Sequence, residues 1–149
     1  MKYRYYLSFI PPSKVNKVKI NSRVFSKTGK RYIVPKEISI KINKAIWELG
    51  LQFEKNKKTF KNPIKVNITF ILPNRRRRDL DNIMKTLGDC LVYANIINDD
   101  SLIFIQNLEK WIIKGEEGVI IEIEELKDIK IDKGKLYQLK KYKDNLNEF

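Results

Sequence analysis

The chain of 149 residues is 42% hydrophobic, enough for one domain with its own core, and carries a formal net charge of +13. It has no histidine and one cysteine, Cys90. A His-ligated zinc site, a Ser-His-Asp triad, a Cys-His pair and an internal disulfide are excluded, so any catalysis must use carboxylates, lysine, tyrosine or a metal. The first ten residues alternate rather than forming a long apolar run, and no stretch approaches the length of a membrane span. A cytoplasmic protein with no membrane partner is expected. The charge is unevenly spread. Residues 1–78 hold 21 Lys and Arg against 3 Asp and Glu, whereas residues 79–149 hold 10 against 15. A surface so basic attracts polyanions, of which nucleic acid is the usual one.

Residues 2–10 alternate Tyr3, Tyr5, Leu7 and Phe9 with Lys2, Arg4, Tyr6 and Ser8, a half-buried strand that Pro11-Pro12 ends. A polar, basic loop follows to Pro35. Ser26 to Lys30 reads as a turn, the tip of a small hairpin flanked by Val24-Phe25 and by Tyr32 to Val34. Residues 36–56 read as a helix with Ile38, Ile42, Ala45, Ile46, Leu49 and Phe53 at helical spacing. Trp47 is expected to pack, and Gly50 to weaken the helix or end it early. Residues 65–72 alternate again, turning Val66, Ile68, Phe70 and Leu72 inward. A second helix spans 79–95, with Ile83, Leu87, Leu91 and Ala94 as its core stripe and Asp81, Lys85 and Asp89 as a polar stripe. Strands at 102–113 and 119–126, joined by Lys114 to Gly118, are expected to pair as an antiparallel hairpin. The order strand-helix-strand-helix-strand-strand predicts an α+β domain at 1–126 with one mixed sheet and packed helices. The charged tail at 127–149 reads as a docking helix or a frayed end.

The run from Arg75 to Lys85 is the centre of interest. Four arginines, Arg75, Arg76, Arg77 and Arg78, meet Asp79 and Asp81, and Lys85 lies one helical turn beyond Asp81. Close carboxylates repel, and a bound hard cation turns that cost into a gain. The plain alternative is a helix N-terminus, where Asp suits the macrodipole and Asp81 to Lys85 is an ordinary i,i+4 pair. Asp99 and Asp100 precede the third strand. If that strand neighbours the second, their ends bring three or four carboxylates to one sheet edge. Carboxylates with one lysine and no histidine suit a divalent cation and phosphoryl transfer. Lys85 is placed to neutralise charge on the reacting phosphate, and the arginines to hold the backbone beside it.

The segment Arg77 to Lys85, then Asp89, then Asn98 to Ser101, resembles the RusA family of Holliday junction resolvases. The resemblance begins upstream at Ile10 to Asn16 and continues through the strand ending in Lys110 to the closing strands, covering roughly residues 5–125. It implies metal ligands at Asp79, Asp81 and Asp100, with Asp99 as an additional candidate, and a catalytic lysine at Lys85. It implies a Mg²⁺-dependent homodimer, with Mn²⁺ as a substitute ion, cutting four-way DNA junctions in recombination and repair. Candidate DNA contacts are Lys14, Asn16, Lys30 and Arg31 in the basic loop, and Arg75, Arg76, Arg77 and Arg78. Resolving a junction requires two symmetric nicks, which one site per chain supplies only as a two-fold dimer. Two other readings stand beside this one: a non-catalytic nucleic-acid-binding module whose aspartates cap a helix, and a nucleotide-sugar transferase using Asp-x-Asp.

Overall fold

Strict alternation makes residues 64–72 the middle of the molecule. In the computed structural model, which describes residues 1–13, 19–20, 32–33, 36–127 and 133–146, Ile64, Val66, Ile68, Phe70 and Leu72 are all buried on one face of a strand. The elements run β1 (Lys2–Leu7), β2 (Lys19–Ile20), β3 (Tyr32–Ile33), α1 (Lys36–Asn56), β4 (Ile64–Leu72), α2 (Leu80–Tyr93), β5 (Ile103–Ile112), β6 (Gly118–Glu125) and α3 (Lys133–Leu146). β1, β6, β4 and β5 form one mixed sheet in that order, with β4 parallel to β5 and the other pairs antiparallel. β2 and β3 form a separate antiparallel ladder, Lys19 opposite Ile33. The strands of the expected basic-loop hairpin thus include Tyr32–Ile33, while Val24-Phe25 and the turn at Ser26 to Lys30 lie outside the described residues.

One face of the sheet is covered. Tyr5, Leu7, Val119, Ile121 and Ile123 join the β4 residues, and the core closes with Ile42, Ala45 and Leu49 of α1 and Ile83, Leu87 and Leu91 of α2. The stripes expected on both helices are therefore the buried ones. α1 continues through Gly50 to Asn56, so that glycine ends nothing. Trp47 does not pack: it is 63% exposed on the outer side of α1, because the stripe that meets the sheet falls at Ile42, Ala45 and Leu49. No described helix is long and apolar enough to cross a membrane. In the tail, residues 134–146 of α3 are all exposed.

The expected β5–β6 hairpin is not formed. β4 stands between the two strands, bonded to each. Burial accounts for this. β6 offers Val119, Ile121 and Ile123 to the core and takes an inner position, whereas β5 puts Gln106 and Lys110 on that same face and is left at the edge. The connection crosses the end of β4 through a turn in which Glu116 N–H donates to Ile113 O at 3.1 Å and Gly115 adopts φ 79°. The other edge strand is protected. The Gln52 side-chain amide bonds both the N–H and the carbonyl of Tyr6, at 2.8 and 2.6 Å, as a neighbouring strand would.

Candidate active site

β4 ends at Leu72, and the arginine run then leads into α2. Asp79 is the N-cap. Its Oδ1 accepts the Asn82 backbone N–H at 3.5 Å and its Oδ2 accepts Asn82 Nδ2 at 2.7 Å. The helix-capping role is thus real at Asp79, although a carboxylate has lone pairs left for a cation after accepting two bonds. Asp81 sits in the first turn, exposed, and Lys85 one turn on. Among the described residues neither is held in an ion pair.

Asp99 and Asp100 divide in the same way. Asp99 caps the short 3-10 turn Asp100–Leu102, accepting Ser101 Oγ at 3.0 Å and Ser101 N–H at 3.5 Å. The Ser101 hydroxyl, and then the neighbouring Asp100 carboxyl, hold Asp99 below the usual carboxylate range. Asp100 is pushed the opposite way, by Asp99 beside it, by partial desolvation and by the nearby charge of Asp89. Each acidic pair therefore commits one member to shaping the chain and leaves the other facing outward.

Sequence reasoning placed these acids correctly at strand boundaries but misjudged how they meet. β4 and β5 are neighbours, yet they are parallel, with Ile64 opposite Ile103 and Leu72 opposite Ile112. The start of β5 therefore lies at the opposite end of the sheet from the arginines. α2 closes the gap by running back along the sheet. A Cβ built on Gly88 would stand 3.8 Å from Asp100 Cβ, so Asp100 lies against α2 about two turns, roughly 10 Å along the axis, from Asp81. Among the described residues no three acidic or thiol groups stand together closely enough to hold one ion.

The result is a cleft between α2 and β5 rather than a cluster at a sheet edge. One hollow is lined by Asp81, Met84, Lys85, Gly88, Asp100, Ile103 and Gln106. A second adjoins it and shares Asp81, with Arg77, Arg78, Asp79, Leu80 and Lys110 on its walls. Asp79, Asp81, Lys85 and Asp100, all singled out from the sequence, thus lie along one cleft. Arg77 and Arg78 line it too, whereas Arg75 and Arg76 are exposed beside it. Lys14, Asn16, Lys30 and Arg31 lie outside the described residues. Gln106 and Lys110 were missed. Their signal was present in the alternation of β5, which puts Gln106, Leu108 and Lys110 on one face, but only the parallel register shows that this face borders α2.

Open, with exposed carboxylates, a lysine and cationic walls, such a cleft on an α+β domain defines a phosphodiester-hydrolysing class of protein rather than a binder of small apolar ligands. The family model for endodeoxyribonuclease RusA matches residues 14–124. The crossover junction endodeoxyribonuclease RusA of Aquifex aeolicus (strain VF5) is 42% identical over 118 residues, covering 79% of this chain and 87% of the relative. The chain belongs to the RusA family of endodeoxyribonucleases.

Proposed function

We propose that this endonuclease resolves four-way DNA junctions with a divalent cation, Mg²⁺ foremost and Mn²⁺ as a substitute, and acts as a two-fold dimer. The observation that carries the reading is one cleft holding Asp81, Lys85 and Asp100, with Arg77 and Arg78 at the α2 N-terminal end. The chemistry of the donor set fits the ion. Mg²⁺ keeps several waters and needs only one or two carboxylates together with substrate phosphate oxygens, so a compact protein cage is not required. Asp81 and Asp100 line the same hollow and are the carboxylates on offer, either one sufficing when waters and substrate oxygens complete the shell; Asp79 retains free lone pairs beside Asp81, and Asp99 adjoins Asp100. When bound, the ion polarises the phosphoryl group and acidifies a water.

In the hydrolysis, a water oxygen bonds to phosphorus and gives up a proton to solvent while the bond from phosphorus to the leaving sugar oxygen breaks in line and that oxygen takes up a proton. Lys85, lining the hollow with Asp81 and Asp100, neutralises the negative charge that develops on the phosphoryl or leaving oxygen. Arg77 and Arg78 neutralise backbone phosphates without reading bases, which suits an enzyme that selects shape over sequence. Two observations support a second copy. A junction has two-fold symmetry, and the described residues of each chain offer one cleft of this composition. Among the described residues the outer edge of β5 is unpaired, and the strand exposes Phe104, Ile105, Trp111 and Ile112, an apolar edge that a lone domain ordinarily protects.

The experiment is incubation with a mobile four-way junction, with and without Mg²⁺, followed by mapping of the nicks. Paired symmetric nicks that require the ion are expected. Asp81→Asn should bind the junction and fail to cut it. Undiminished nicking by that variant would refute the assignment, and junction binding without nicking by the wild type would return the protein to the class of passive binders.

A further inference from the structure

Lys110 has no role in the mechanism above, yet it occupies a distinctive place. It projects from β5 on the face shared with Phe70, its register partner, and lines the hollow that contains Arg77, Arg78, Asp79 and Asp81. Two carboxylates share that hollow with it, but among the described residues Lys110 forms no ion pair. Arg78 Nε is buried and also has no hydrogen-bond partner there. Three cationic side chains against two acids, beside the positive end of a helix, leave room for a further anion. The supports differ as well. The arginines stand on the segment between β4 and α2, whereas Lys110 is fixed by a strand bonded along its length to β4. A cation on a strand is placed more precisely than one on a loop.

We propose that Lys110 is a phosphate-positioning residue. It grips the backbone phosphate next to the scissile one, against the α2 N-terminal end of the cleft, and so fixes which phosphodiester lies over Asp81 and Lys85. The inference rests on the junction-cutting reading and adds a residue from the wall opposite α2. It also explains why Lys110 leaves Asp79 and Asp81 alone. A cation committed to those acids would compete with the metal, whereas one held apart from them binds the strand.

The test compares wild type with Lys110→Gln, Lys110→Arg and, as a charge-matched control, Lys41→Gln on the exposed side of α1. Junction affinity is measured over a range of salt, and cleavage is followed in single turnover with the nicks mapped. For Lys110→Gln, binding about tenfold weaker is expected, with the slope of log affinity against log salt reduced by about one. Its nicks should spread to neighbouring phosphates, while the saturating rate falls less than the affinity. Lys110→Arg should restore the salt slope. An unchanged slope and unchanged nick positions in Lys110→Gln, or behaviour matching Lys41→Gln, would overturn the proposal. Failure of the wild type to cut any junction would instead sink the underlying reading.

Discussion

At the end of the cleft nearest the α2 N-terminus, Asp79 and Asp81 stand among Arg77, Arg78 and Lys110, and the helix terminus adds its own positive end. At the other end Asp100 stands beside Asp99 and Asp89, and Lys85 is the one cation lining that hollow among the described residues. The first end sets three cationic side chains against two acids, and on the proposed reading it receives an anion. At the second, the hydrogen bond with Asp99, then partial desolvation and the nearby charges of Asp99 and Asp89, hold the Asp100 carboxyl above its ordinary range, and on the proposed reading this end receives the cation. On that reading one shallow cleft handles two ligands of opposite sign, phosphate at one end and metal at the other, with Asp81 between them.

Asp100→Asn is expected to have the largest effect on the cleft. Cleavage is expected to fall by at least about a thousandfold, the scale seen when a preorganised charge-stabilising group is lost. Stability should move the other way. A carboxyl whose folded pKa is raised costs stability as pH climbs past its ordinary value, so removing the charge relieves the fold at neutral pH. Thermal melts without metal should therefore rise slightly in Asp100→Asn. Added Mg²⁺ should raise the melting temperature of the wild type and leave that of the variant unchanged. A variant that melts lower and still responds to Mg²⁺ would show that Asp100 is structural. Asp99→Asn, which retains a side chain able to accept from Ser101, should lose far less activity than Asp100→Asn.

Next in size is Asn82→Ala. Its side-chain amide donates to Asp79 Oδ2 at 2.7 Å, the shorter of the two bonds that orient the cap. Groups that hold a metal-binding carboxylate from behind typically contribute tenfold to a hundredfold in activity or metal affinity. The loss should appear in the Mg²⁺ concentration needed for half-maximal cleavage, and Asn82→Asp should not restore it, since a second carboxylate would repel Asp79.

The two ends of the cleft also differ in how far the sequence disclosed them. The α2 end was legible, Lys110 apart, because the segment from Arg77 to Lys85 is local. The periodicity of Ile83, Leu87 and Leu91 fixes the buried side of the helix, and with it the side on which Asp81 and Lys85 must stand. β4 was legible for the same reason. The far end depends on a long-range fact, that β5 runs parallel to β4, which no local pattern encodes. Residues 102–113 and 119–126 share the alternation and the short turn of a hairpin. Only competition for the inner position, won by the more apolar β6, separates them. Trp47 misled for a related reason. A large apolar side chain is ordinarily evidence for burial, but the register of α1 was already spent on Ile42, Ala45 and Leu49.

The smallest effect concerns the side of the sheet away from the helices, where charges are arranged for stability rather than chemistry. Glu122 on β6 accepts from Arg4 Nε at 3.0 Å and lies 3.3 Å from Lys2 Nζ, both on the neighbouring β1. Its carboxyl is held below the usual range chiefly by Arg4, with Lys2 and Asn67 adding to it, against a desolvation penalty. A depressed folded pKa contributes stability that is present above the ordinary glutamate value and is lost as pH falls through the folded one. Both bases are themselves well exposed, so screening keeps the gain small. Glu122→Gln should therefore melt slightly below wild type at neutral pH, and the two curves should converge on acidification below the ordinary glutamate pKa. Added salt should narrow the gap in the same direction, because it screens the pair. Junction cleavage should be untouched throughout, in contrast to every substitution in the cleft. A cleavage defect in Glu122→Gln would mean that the open face of the sheet also meets the substrate or the second copy, and that the functional surface extends beyond the α2–β5 side.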